Sequence, residues 1–303
     1  MKIINILLVL FLTFQTPVKA ETNTYEINSI KDLVELSEKC HSDIYTSGLK
    51  VSLNTDLSLK DVDDFNIAYF SGTFDGNGHT ISDFKTDGKY APYGFIATLS
   101  NEGVVKNLNI EGFISPDGKA EDVGGIVGIN YGRVENSSFK GSVIAKNNVG
   151  GIVGNNQGDI INCSTYGFIE AKIKSGGIAG YNTGLIKDCK NEANVNTRDN
   201  SEALSIEDIG SSTIEDLLKT NSSFIDAGGI VGYSTGQVIN CNNSASIGYK
   251  HLGYNIGGIV GRSSGYVSSC LNTGDIDGRK DVGGIVGQME PDIREDISLN
   301  TIG

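Results

Sequence analysis

No tryptophan occurs in the 303 residues, and proline (four), methionine (two) and histidine (three) are scarce. The histidines, His41, His79 and His251, never pair at metal-ligand spacing, and neither Cys-x-x-Cys nor His-Glu-x-x-His is present. A zinc site is therefore not expected, and no cofactor is. Basic residues are outnumbered, 24 against 37 acids, for a formal charge of −13. An acidic chain repels nucleic acid and anionic membrane surfaces, so neither is an expected partner; the same charge also favours solubility. Long apolar runs are missing with one exception. The stretch from Ile3 to Phe14 follows Lys2 and precedes Val18-Lys19-Ala20, the layout of a secretory signal peptide over residues 1–20, cleaved after Ala20. That run is too short to span a bilayer and no later run is long enough, so no membrane insertion is expected after its removal. Losing Lys2 and Lys19 takes the charge to −15. No cysteine closely follows the run, and no Leu-Pro-x-Thr-Gly occurs, which argues against lipid or sortase anchoring. A secreted or cell-surface protein is expected.

Glycine is what the chain has in abundance, 40 residues, without the strict triplet of collagen. Its placement is periodic. Gly-Gly-Ile-Val-Gly begins at Gly124, Gly150, Gly228, Gly257 and Gly283, with a variant at Gly176 and a weaker copy at Gly94, and the basic spacing is 26. Each unit divides 8 + 9 + 9 at further small residues such as Gly132 and Gly141. Two residues past every landmark stands Ile or Val, in nineteen cases of nineteen. β-Branched residues suit a buried pleated surface and glycine suits a tight corner. The pattern predicts three short strands per unit and one unit per turn of a coil, with turns stacked about 4.8 Å apart. Helical repeats are excluded, since they need long stretches at 3.6 periodicity and little glycine. The expected fold is all-β: a right-handed, three-sided parallel β-helix of about eight turns, roughly 35–40 Å long at that spacing.

Residues 21–93 read as an N-terminal cap and the first turns. Ser29-Ile30-Lys31-Asp32 resembles a capping box, and apolar residues follow at helical spacing, so a helix near 30–39 is expected across the open end. The repeats occupy residues 94–289, interrupted between Ala193 and Gly228 by 26 extra residues. Their polar content and a helix-like Thr213-Ile214-Glu215-Asp216-Leu217-Leu218 favour an excursion over about 197–225 rather than a decayed turn. Residues 290–303 form a tail with no evident cap helix.

At these residues the chain resembles a known family. Gly-Gly-Ile-Val-Gly, then Gly-x-Ile-x-Asn-Cys, then Gly-x-Ile look like the GLUG motif of bacterial exported proteins, first recognised in immunoglobulin A1 proteases. Phe70 to Ile81, which includes Asp75-Gly76-Asn77-Gly78-His79, looks like the opening turn of the pectin-lyase-like β-helices in such proteins. The two resemblances cover about residues 70–289. They imply an extracellular β-helix module of the non-catalytic kind, and they do not carry protease activity with them.

Two side-chain ladders stand out. Cys163, Cys189, Cys241 and Cys270 share one register, where earlier units hold Leu108 and Ser137; an inward-facing, structural ladder is expected. One residue earlier stand Asn107, Asn136, Asn162, Asp188, Asn240 and Ser269, whose amides can hydrogen-bond along a parallel stack. Carboxylates deserve a test because polysaccharide lyases and hydrolases share this fold class. Asp275 and Asp277, with Arg279 and Asp281 nearby, form the best cluster, yet neighbouring turns lack matching acids. Tyr131, Tyr181, Tyr233 and Tyr254 lie near corners, where they can stack on sugar rings or cover the stack. The candidate recognition loop is the excursion, at Arg198, Asp199, Asn200 and Glu202. The function expected is a non-catalytic adhesion or ligand-recognition module for an extracellular glycan or protein. A carbohydrate-active enzyme and a structural spacer remain as alternatives. The uncapped carboxyl end predicts an end-to-end partner or a C-terminal continuation.

Overall fold

The computed structural model describes residues 23–40, 45–86, 91–116, 120–198 and 224–291. The expected signal segment lies outside them, as do residues 292–303 of the tail. The chain is an all-β parallel solenoid of about nine turns, one more than the repeat count suggested, with little helix.

One turn shows how the residues make the coil. Glu121–Gly124, Val127–Asn130, Arg133–Glu135 and Ser138–Ile144 are its strands, and each pairs in parallel with its equivalent in the next turn. Stacking builds four sheets, here numbered first to fourth in that order, of six, eight, nine and eight strands. Sequence spacing predicted three strands per turn. The difference arises at the glycine pair, where the chain bends between the first and second strands. A Cβ on Gly125 would strike the carbonyl of Gly151 in the next turn and the ring of Phe139 across the core. Only a glycine lets the backbone bend there against two close neighbours.

The interior follows the β-branched pattern. Sixteen of the nineteen Ile and Val positions are at most 1% exposed, and Val267, Ile276 and Ile285, the three exceptions, all lie in the last turns. The core changes character along the axis. The amino-terminal turns are filled by Phe70, Phe74, Phe84 and Phe95, with Phe74 and Phe95 edge to face at 5.6 Å. Phe139 is the last of these rings, and its register partners are Thr165, Asn191, Asn243 and Asn272. These polar residues form a hydrogen-bonded ladder: Thr165 Oγ1 donates to Asn191 Oδ1 (2.8 Å), Asn191 to Asn243 (2.7 Å) and Asn243 to Asn272 (2.7 Å). A second internal ladder runs from Asn130 through Asn156 and Asn182 to Ser234, with links of 2.7, 2.8 and 3.0 Å. Buried amides are tolerated because each one is paired.

The one helix among the described residues, α1 (Ile30–Lys39), begins at Ser29. Ser29 Oγ accepts from the Asp32 N–H (3.4 Å), and the Asp32 carboxylate in return accepts from the Ser29 hydroxyl (2.9 Å) and the Asn28 N–H (3.0 Å), close to the capping box the sequence suggested. Leu33 and Leu36 on one face, with Cys40 behind them, join the core.

Candidate ligand groove

The chain turns from the third sheet to the fourth at one residue per turn. That residue is Asn107, Asn136, Asn162, Asp188, Asn240 or Ser269, and each has φ between 50° and 57°. Left-handed backbone is disfavoured for most side chains and tolerated by Asn and Asp, so corner geometry selects these residues. Their amides bond in pairs rather than as one continuous ladder: Asn162 Nδ2 to Asn136 Oδ1 (2.8 Å), Asn240 to Asp188 (2.6 Å) and Asn107 to Asp75 (3.0 Å). The next residue in each turn points inward. Cys163, Cys189 and Cys241 are buried and Cys270 is half-buried, all four as free thiols. Each thiol donates to a carbonyl two residues back, as Cys189 does to Lys187 O at 3.2 Å. Burial pushes the Cys189 thiol well above its usual pKa, with Cys163 and Cys241 as close neighbours, so it stays protonated.

The two ladders meet in a shallow groove along this corner. Asn136, Asn162 and Asp188 line one wall, Ser164, Tyr166 and Lys190 the other, and Cys163 lies at its floor. It continues past Cys189 to Asn240 and Asn242. Tyr166 is 40% exposed, a flat apolar face beside a row of amides and hydroxyls. That mixture of one aromatic face and many donors and acceptors suits a polar ring-shaped ligand.

The other candidate residues lie elsewhere. Arg198 lays its guanidinium 3.9 Å from the Phe168 ring centre on the fourth sheet, while Asp199, Asn200 and Glu202 fall outside the described residues. The excursion leaves the fourth sheet after Val195 and rejoins the first at Ile225. Ile225 pairs directly with Ile173, so the turns on either side are adjacent. Asp275 is exposed at the carboxyl end, and among the described residues no group of three or more His, Cys, Asp or Glu is placed to hold a metal ion. Tyr181 and Tyr233 are brought together, ring centres 5.5 Å apart, on the second sheet. Beside them Asp226 is 1% exposed and bonded to Arg262 (2.9 Å) and Asn255 (2.7 Å). Burial raises its carboxyl pKa despite those partners. Sequence reading missed this cluster and the internal amide ladders. Asn130, Asn156 and Asn182 recur at the 26-residue spacing, a signal that was present and unused.

Comparison with known proteins agrees with this architecture. The GLUG motif model matches residues 120–144, one turn of the coil. The chain is 42% identical over 79 residues to halomucin of Haloquadratum walsbyi, covering 25% of this chain and 1% of that protein. It is 37% identical over 73 residues to a protein of Evansella cellulosilytica named as a Gly-rich membrane protein, covering 23% of this chain and 8% of the other. The chain thus spans a small part of these relatives. Among solved structures it resembles a candidate immunoglobulin A1 protease from Bacteroides ovatus, with TM-score 0.59 and 17% identity over 88% of this chain and 83% of that one. At that identity the likeness speaks for fold alone. The chain therefore carries a GLUG motif within a β-solenoid. No helix among the described residues is long and apolar enough to cross a membrane.

Proposed function

We propose that this chain is a non-catalytic module of a secreted or surface-displayed protein, and that it recognises an extracellular glycan through the groove between the third and fourth sheets. The observation that carries the reading is the exposed Tyr166 beside the paired corner amides of Asn136 and Asn162. In this reading the coil is right-handed, the hand that parallel crossovers favour. It is three-sided in cross-section, with the first two sheets forming one bent side. Helix α1 serves as a lid over the amino-terminal end, where parallel strand edges would otherwise invite pairing. A glycan array probed with residues 21–303 tests the reading, with the Tyr166→Ala variant beside it. We expect a discrete set of bound glycans and at least a tenfold loss of affinity in the variant, about 1.4 kcal/mol. Binding unchanged in Tyr166→Ala, or release of reducing ends from a bound polysaccharide, would overturn it.

A second reading, a structural segment within a longer stack, draws on the carboxyl end. Val282 (45%), Ile285 (39%) and Met289 (70%) are exposed among the described residues, a surface that another turn of the same kind would bury. The partner in that reading is a further parallel rung, supplied by continuing chain or by another molecule.

A further inference from the structure

The groove between the third and fourth sheets is built as a repeat. Four turns each give it one corner residue, Asn136, Asn162, Asp188 and Asn240, and one residue two places on, Ser138, Ser164, Lys190 and Asn242. The last four are register partners in successive strands of the fourth sheet. The two hollows that make up the groove, of about 380 and 460 Å³, share Asn162, Asp188 and Lys190 in their walls, so it runs on without a break. With turns stacked about 4.8 Å apart, the four turns set equivalent groups along roughly 14 Å of the axis.

A surface that repeats along a line is matched by a ligand that repeats by the same step. An extended chain of diequatorially linked sugar rings advances by nearly that distance per ring, whereas a single sugar meets only one or two turns. The groups that face such a chain are open to it. Among the described residues the Ser164, Lys190 and Asn242 side chains have no partner within the protein, and Lys190 and Asn242 are exposed. Asp188 accepts from Asn240 (2.6 Å), with Lys187 3.8 Å away, and its carboxylate keeps lone pairs for hydroxyls. Tyr166 stands in the second of the four turns, and its register partners are Lys140 and Glu192, so the row offers a stacking face to one ring alone. A ring seated there has one turn of polar groups on one side and two on the other, the surroundings of an internal ring and not of a chain end.

Resting on the glycan reading above, we infer that the groove takes an internal stretch of an extended, neutral glycan, laid parallel to the solenoid axis with about one ring per turn. Tyr166 carries one ring, Asn136 and Ser138 bind toward one end, and Asp188, Lys190, Asn240 and Asn242 bind toward the other. A polyanionic chain is disfavoured by the net charge of −13 and by Asp188 and Glu192 beside its path.

The test is calorimetric titration of residues 21–303 with β-1,4-linked glucose and N-acetylglucosamine oligomers of one to five rings, and with the α-1,4-linked glucose series, whose chain coils instead of running straight. We expect affinity in at least one β-linked series to rise at least tenfold from two rings to four and then level off, with no such rise in the α-linked series. Asn242→Ala shortens the groove at its far end while the side chain it removes has no partner among the described residues, and a thermal melt matching wild type verifies the fold. In that variant the rise from two rings to four should fall below threefold, whereas Tyr166→Ala should weaken every length. A single ring bound as tightly as four, an equal rise in the α-linked series, or a full rise in Asn242→Ala would overturn the inference. So would failure of both β-linked series to bind. In that case glycans captured on the array and lost in Tyr166→Ala would leave the groove reading standing, and an array with no binding would remove both.

Discussion

Cys189 illustrates how little chemistry a conspicuous residue need have. It is fully buried, its neighbours along the axis are Cys163 and Cys241, and its thiol is held protonated by burial. A reactive cysteine needs a stabilised thiolate, and this site does the opposite. We expect Cys189→Asp to destabilise the fold by more than about 3 kcal/mol, since an unpaired charge would be buried. Cys189→Ser keeps a donor for the Lys187 carbonyl and should cost only about 1 kcal/mol. Urea unfolding followed by circular dichroism measures both; equal and negligible effects would place the ladder in solvent.

Strand by strand, ladders decide the element. The corner ladder of Asn136 and Asn162 and the internal ladder of Asn130, Asn156 and Asn182 use the same amide chemistry at different depths. Asn156 is 0% exposed and links upward and downward at 2.8 and 2.7 Å, so its removal strands a donor on Asn130 and an acceptor on Asn182. Asn162 makes one link at the surface. Asn156→Ala should therefore cost about 2–4 kcal/mol and Asn162→Ala about 1 kcal/mol, the latter mainly from the backbone it must hold. Thermal melts of the two variants side by side give the order; a reversed order would mean the corners carry the stack. Element bounds were legible where side chains are repeated. The helix at 30–39 could be read because Ser29, Asp32, Leu33 and Leu36 each signal locally. The split at Gly125 could not, because it depends on Gly151 and Phe139, a turn away and across the core.

At the scale of the molecule, the first and last described turns differ. At the amino end Leu33 and Leu36 of α1 are buried with the core, while the last turn leaves Val282 and Ile285 open among the described residues. An open parallel edge with apolar residues invites pairing. Ile259 is the register-equivalent of Ile285 one turn inside and is 0% exposed. Ile259→Asp should unfold the carboxyl half, whereas Val282→Asp with Ile285→Asp should leave the melting temperature within a few degrees. Light scattering after size exclusion completes the comparison: we expect wild type to associate and the double variant to be monomeric. A monomeric wild type would show that this end needs no partner.

The 26-residue period, read alone, determined the solenoid, its parallel strands, the identity of the inward Ile and Val, and the register that stacks cysteine on cysteine. These are legible because each repeat is its neighbour's environment, so local pattern and tertiary contact coincide. What folding alone decided is how different rows meet. Four sheets instead of three follow from a close approach at glycine. The groove joins Asn136 to Tyr166 across a corner, and the bend between the first two sheets sets Lys174 of the first against Tyr181 and Tyr233 of the second. Period places a residue along the axis; it says nothing of which row lies beside it around the circumference. That depends on the bend angles at the corners, which arise from contacts between turns and across the core.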